Sequence, residues 1–133
     1  MLAHPELHRD LAADPGRIEQ LRAQDLLLQI DAGSLRGRFG RRAQAAAIRL
    51  TESGQADFVG SDGHDLDKRP LALRSAYEQL VELAGPDEAL RLFSRNPRRV
   101  LTGEPVEAGA MPAGSPGIWS RLRRRSRKVS STE

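Results

Sequence analysis

Three short apolar runs alternate with three helical patterns over the first hundred residues, and no other feature of the chain narrows its fold so far. Leu2-Ala3 is the stub of a strand, and Leu26-Leu27-Leu28-Gln29-Ile30 and Ala56-Asp57-Phe58-Val59-Gly60 are runs of strand length. After the first run, Asp14-Pro15 offers an N-cap followed by proline at the first helical position, leading into Arg17 to Gln24 with Ile18 and Leu21 on one side. From Ser34 a long helix is expected through Leu50, with Ala43, Ala46, Ala47 and Leu50 facing a core and an end near Gly54. A third helix is expected from about Pro70 to Leu83, with Leu73, Ala76, Tyr77, Leu80 and Leu83 on one stripe. Pro86 opens a fourth that Asn96-Pro97 should break. Strand and helix in alternation imply an α/β fold, parallel strands joined by crossover helices.

The chain of 133 residues is long enough for one modest domain, burying roughly two-thirds of its unfolded surface. Aromatic residues are only 4% of it, so Leu, Ile, Val and Ala must build the core, with Phe39, Phe58, Phe93 and Tyr77 as the few large pieces. The absence of cysteine excludes disulfides, thiolate ligands and a cysteine nucleophile. No apolar run approaches the roughly 18 residues of a membrane span, and the start lacks the pattern of an export signal, so a cytoplasmic protein is expected.

Charge is uneven along the chain. Beyond Gly103 six bases (Arg121, Arg123, Arg124, Arg125, Arg127 and Lys128) face three acids (Glu104, Glu107 and Glu133), which accounts for the net charge of +3. Residues 104–120 are too rich in Pro and Gly to sustain a helix or a central strand. The expected organisation is a folded part over 1–103 and a Pro/Gly-rich linker with a basic tail over 104–133. Such a tail could bind nucleic acid, an anionic lipid or an acidic partner.

Parallel α/β folds carry their chemistry at the C-terminal ends of the strands. Polar motifs fall there three times: His4 after Leu2-Ala3, Asp31 and Ser34 after the second run, Asp62 and His64 after the third. A buried His or Asp costs several kcal/mol unless it is paired or metal-bound, so packing is a poor explanation for all three. Asp62 and His64 stand two residues apart, a spacing that points both side chains of an extended strand end to the same side. An imidazole and a carboxylate so placed suit Mn, Fe or Zn. Taken alone, Asp-Gly-His is a weak signal that fits a surface turn with a helix N-cap better than a ligand pair, His4 could be an exposed terminal residue, and Asp31 and Ser34 could each be a helix N-cap. His8 reads as a solvent-facing loop residue, and Arg36, Arg38, Arg41 and Arg42 as a solvated face.

Four segments stand in a telling order and spacing: Leu2-Ala3-His4-Pro5-Glu6, the segment from Leu28 to Gly40 with Ile30-Asp31-Ala32-Gly33-Ser34-Leu35 at its centre, Gly60-Ser61-Asp62-Gly63-His64 followed by Arg69-Pro70, and Asn96-Pro97 followed by Leu101-Thr102-Gly103-Glu104. Together they resemble the C-terminal half of bacterial protein-tyrosine phosphatases of the PHP (polymerase and histidinol phosphatase) superfamily. The resemblance covers about residues 1–104. It implies the C-terminal portion of a distorted (β/α)7 barrel with a trinuclear metal site, a Mn2+-dependent phosphomonoesterase acting on phosphotyrosine, and as partner a tyrosine kinase of polysaccharide export. It also implies His4, Asp62 and His64 as metal ligands and Arg69 as the catalytic cation that binds phosphate. A histidinol-phosphatase-like role is the alternative within the superfamily, and a catalytically silent piece with a regulatory or binding role the alternative outside enzymes.

Two departures from the family pattern stand out. Leu7 occupies the place of an arginine that usually follows His-Pro-Glu, with Arg9 displaced by two positions. The family's opening His-x-His, a further histidine, glutamate ligands and about four strands have no counterpart here, so a truncated or split form with an incomplete barrel is expected.

Overall fold

The computed structural model describes residues 1–65, 67 and 73–109. Its centre is one sheet of three parallel strands, β1 (Leu2–Ala3), β2 (Leu28–Asp31) and β3 (Phe58–Gly60), in the order β1-β2-β3. The register pairs Leu2 with Leu28, Ala3 with Gln29, Ile30 with Val59 and Asp31 with Gly60. Alternation along the strands sets Leu2, Leu28, Ile30 and Val59 on one side. That side carries the core, where Leu28 and Ile30 pack with Leu35, Ala47, Leu50, Ala76, Leu80 and Leu92. Each such Leu or Ile, fully buried, contributes roughly 1.5–3 kcal/mol.

The crossovers follow local signals. After a 3-10 turn over Pro5–Leu7 come α1 (Arg9–Ala13) and α2 (Pro15–Arg22). Asp14 caps α2 as expected, its carboxylate accepting from the Gly16 N–H at 3.0 Å. Between β2 and β3 the expected single helix from Ser34 through Leu50 is instead two, α3 (Ala32–Leu35) and α4 (Arg41–Glu52). Gly37 and Gly40 lie between them at φ 80 and 92, a left-handed conformation that a continuous helix cannot contain. Ala43, Ala46, Ala47 and Leu50 face the core as their spacing requires, while Phe39, on the loop, is exposed rather than a core piece.

Helix α5 (Arg74–Ala84) buries Ala76 and Leu80; the expected start at Pro70 lies outside the described residues. From α6 (Pro86–Leu90) the chain does not break at Asn96-Pro97. It passes through a π-helical turn, Arg91–Arg95, into α7 (Asn96–Thr102). The wider turn absorbs the change of register, and Pro97 then falls in a first turn, where a missing N–H costs little. Gly103, left-handed at φ 72, ends α7 where the folded part was expected to end. Residues 104–109 nevertheless lie against the fold, the Glu107 N–H donating to Asn96 Oδ1 at 2.9 Å. The basic stretch from Arg121 to Lys128 falls outside the described residues.

The N-terminal ends of β2 and β3 are closed by buried polar groups. The Asp57 carboxylate accepts from the Leu28 N–H at 2.8 Å and pairs with Arg22. Arg91 donates to Ala56 O at 2.7 Å and Asn96 to Asp57 O at 2.9 Å; both also hold Glu107 O.

Candidate functional site

The C-terminal ends of all three strands form one rim, and His4, Asp62 and His64 all stand on it. β1 ends where the His4 N–H donates to Gln29 O at 2.7 Å. His4 then turns left-handed, at φ 39 and ψ 55, and the chain winds into the 3-10 turn, the Leu7 N–H donating to His4 O at 3.0 Å. At the end of β3, Asp62 also has positive φ, at 45. Asp25 is the one further non-glycine residue with positive φ among those described. Such conformations cost of order 1 kcal/mol or more and persist where surrounding structure imposes them.

Asp62 and His64 are brought together by their own loop. His64 Nδ1 lies 2.6 Å from Asp62 O. A carbonyl oxygen can only accept, so Nδ1 is the donor, and in the neutral imidazole Nε2 then carries the lone pair a metal requires. The His64 side chain is 58% exposed and that of Asp62 23%, so the imidazole is accessible beside a largely covered carboxylate. Ser61 Oγ accepts from the Gly63 N–H at 3.3 Å, bracing the turn. Gly60 makes room for Gln29, since a Cβ there would come within 2.8 Å of Gln29 Nε2.

His4 stands apart from that pair. β1 and β3 flank β2, so their ends are about two strand spacings, roughly 10 Å, apart. Among the described residues no three His, Asp or Glu side chains converge on one point where a single ion could sit. The donors suit Mn, Fe or Zn in kind, and Nε2 of His64 is available, so they fit as contributions to a multinuclear site that further donors complete. Arg69 lies outside the described residues. Leu7 lies in the 3-10 turn, and Arg9 lines an open hollow of about 370 Å³ with His8, Asp10 and Arg17 between α1 and α2; none of His4, Asp62 and His64 lines it.

At the end of β2 the structure shows a feature that the residue pattern did not single out. Glu6 is 1% exposed, and its Oε1 accepts the Asp31 N–H at 2.9 Å. Burial pushes its carboxyl above the ordinary value; the Asp31 N–H and then the Ser34 hydroxyl oppose the shift, and the Asp31 charge adds to it. The buried Ser34 Oγ thus faces the Glu6 carboxyl, although neither it nor Glu6 Oε2 reaches strict hydrogen-bond geometry among the described residues. Asp31, not Ser34, caps α3, its Oδ1 accepting from the Gly33 N–H at 2.6 Å. The available signal for Glu6 was its place in His-Pro-Glu, directly after a strand. The side chains of His8, Arg36, Arg38, Arg41 and Arg42 are on exposed residues, as expected of them.

Fold and rim together define a parallel α/β protein with histidine and aspartate donors at the C-terminal ends of its strands. The family model described as capsular polysaccharide synthesis, CpsB/CapC, matches residues 1–102, and the chain belongs to that family. It is similar to the tyrosine-protein phosphatase YwqE of Bacillus subtilis (strain 168), with 36% identity over 106 residues. It is also similar to CapC of Staphylococcus aureus, which carries a tyrosine-protein phosphatase name, with 29% identity. Each match takes in 80% of this chain and 41% of the relative, so the chain spans about two-fifths of their length. Among solved structures it superposes on a chain from the crystal structures of YwqE from Bacillus subtilis and CpsB from Streptococcus pneumoniae, described as metal-dependent tyrosine phosphatases. The TM-score is 0.76 at 28% identity, covering 85% of this chain and 46% of the other. The open sheet thus matches part of a PHP-type phosphatase fold. No helix among the described residues is long and apolar enough to cross a membrane.

Proposed function

We propose that this chain provides part of the active site of a metal-dependent protein-tyrosine phosphatase, with His4, Asp62 and His64 as metal ligands and Arg69 as the cation that binds the phosphate. The substrate is phosphotyrosine on a protein, and the partner a cytoplasmic tyrosine kinase of polysaccharide biosynthesis. One observation carries the reading: His64 Nδ1 is held by the Asp62 carbonyl at 2.6 Å and lies 4.0 Å from Asp62 Oδ1, which leaves Nε2 as the ring nitrogen able to ligate at a strained strand end. A histidine held in this way has its orientation and tautomer set before any ion arrives. Family membership supports the same assignment.

Manganese is the metal proposed; when bound, the ions supply positive charge for the phosphate oxygens and activate water at neutral pH. The chain's own groups do the rest. His4 and His64 donate neutral imidazole nitrogen, Asp62 donates carboxylate oxygen, and the Arg69 guanidinium orients the phosphate through paired hydrogen bonds. The remaining donors and strands come from further polypeptide, in the same chain or in trans, as in a truncated or split enzyme.

The test is hydrolysis of an aryl phosphate by the purified chain, with and without Mn2+, for the wild type and His64→Ala. Mn2+ binding that weakens in the variant is expected of the chain by itself, and Mn2+-dependent turnover that disappears in the variant is expected once the remaining donors are supplied. Absence of turnover with every divalent metal tried would overturn catalysis by this chain alone. Mn2+ binding that persists unchanged in His64→Ala would overturn the ligand assignment.

A further inference from the structure

In a regular parallel ladder every second residue of one strand donates its N–H to a carbonyl of the neighbour and accepts, through its own carbonyl, the N–H two positions further along that neighbour. β1 obeys this up to its end: the Leu2 N–H donates to Leu27 O and the His4 N–H to Gln29 O, both at 2.7 Å. The next rung would join the Asp31 N–H to His4 O. That carbonyl is instead used by the Leu7 N–H, which closes the 3-10 turn, and the Asp31 N–H goes to Glu6 Oε1. A buried side chain therefore replaces the missing rung. The substitution lets the backbone leave the sheet at His4 in a left-handed conformation without leaving the buried β2 N–H unpaired.

We propose that Glu6 is a positioning residue for His4: by taking the rung that the strand gives up, it holds the His4 turn against the end of β2 and so sets where the His4 imidazole stands on the rim. It couples the two motifs directly, because the residue it holds is Asp31, which caps α3 in Asp31-Ala32-Gly33-Ser34. Ser34, buried beside the Glu6 carboxyl, belongs to that same short helix. Glu6 does not touch a reacting group; it acts through His4. The part of this inference that concerns metal rests on the function proposed above.

The experiment uses the full chain, isotope-labelled, observed by NMR. In the wild type the Asp31 amide is protected from exchange. Glu6→Met, of similar length but without a carboxylate, should speed its exchange about 10-fold or more while leaving Ile30 and Val59 protected. On titration with MnCl2 the paramagnetic ion should broaden the imidazole signals of His4 and His64. Glu6→Met should raise the midpoint for His4 about 10-fold and leave that for His64 unchanged. Glu6→Gln keeps an acceptor oxygen and should restore both readouts. Should Glu6→Met fail to fold, Glu6→Asp, too short to reach the Asp31 N–H, carries the same expectation. Unchanged Asp31 exchange in these variants overturns the proposal, as does an equal shift of both histidines, which a general loss of stability would produce. If the wild type shows no broadening by Mn2+, the metal reading falls and the exchange result alone decides whether Glu6 holds the turn.

Discussion

At one end of β3, Ala56 and Asp57 give their carbonyl oxygens to Arg91 and Asn96, and the Asp57 carboxylate takes both the Leu28 N–H and Arg22. At the other end the chain turns through Asp62 at positive φ, His64 stands more than half exposed, and across the sheet Glu6 Oε2 and Ser34 Oγ are buried near each other without a well-formed hydrogen bond among the described residues. One end of the sheet spends its polar groups on each other; the other leaves donors and strain in place. Buried charges that satisfy one another stabilise a fold and have no capacity left for a ligand. Under-satisfied, strained groups at strand ends are where binding energy can be collected, and they cost stability until something binds.

The sharpest way to break this contrast is Asp57→Ala. It removes the acceptor of a buried N–H and the partner of Arg22, and should cost about 3–5 kcal/mol, seen as a large fall in the urea midpoint. Under conditions where the variant stays folded, its Mn2+ titration should match the wild type, because the change lies at the end away from the rim. The reciprocal change is His64→Ala. Turnover should fall on the order of 100-fold or more while stability stays within about 0.5 kcal/mol, since the side chain is exposed and its contacts, the carbonyl and carboxylate of Asp62, lie in its own loop.

A smaller effect should come from Gly60→Ala, midway along the comparison. The added methyl meets the far end of the Gln29 side chain, which can swing away, so a loss under about 1 kcal/mol is expected in the same denaturant assay. The smallest effect concerns the segment that follows α7. Hydrogen bonds from Arg99 first, and then from Arg95, hold the Glu107 carboxyl below its ordinary value of 4.5. A carboxyl lowered in the folded state contributes stability above its unfolded value and loses that contribution as pH falls through the folded one. Acidification from pH 4.5 downward should therefore loosen residues 104–109, moving the chemical shifts of the Asn96 side-chain amide. Glu107→Gln should abolish that titration.

How far the sequence could be read depended on the distance over which each feature is encoded. The cap of α2 is local, Asp14 reaching two residues ahead, and it stands where Asp14-Pro15 indicated. The core face of α4 was equally open to reading, because Ala43, Ala46, Ala47 and Leu50 repeat at helical spacing. The expectation failed where two local signals competed. Helical periodicity argued for one helix from Ser34, while Gly37 and Gly40 supplied the left-handed turns that divide it. At Asn96-Pro97 the general rule about proline was outweighed by a buried amide: Asn96 reaches Asp57 O, 39 residues away, and a π turn accommodates the proline. At the rim, residue types and order were enough to single out His4, Asp62 and His64, and the family resemblance that named them rests on the same residues. Glu6 was not legible in that way, since its partner is the backbone of Asp31, which is not a neighbour in sequence.

The sequence by itself determined the alternation of strand and helix, the burial of an aliphatic core and the presence of His and Asp just past the strands, because periodicity and capping act over a few residues. Only the tertiary structure decided that all three candidates share one rim, that His4 stands a strand away from the Asp62 and His64 pair, and that a glutamate side chain replaces a rung of the ladder. Those facts depend on which strands lie side by side and in what register, and parallel pairing joins residues some 25 or more positions apart through backbone groups that every residue type possesses.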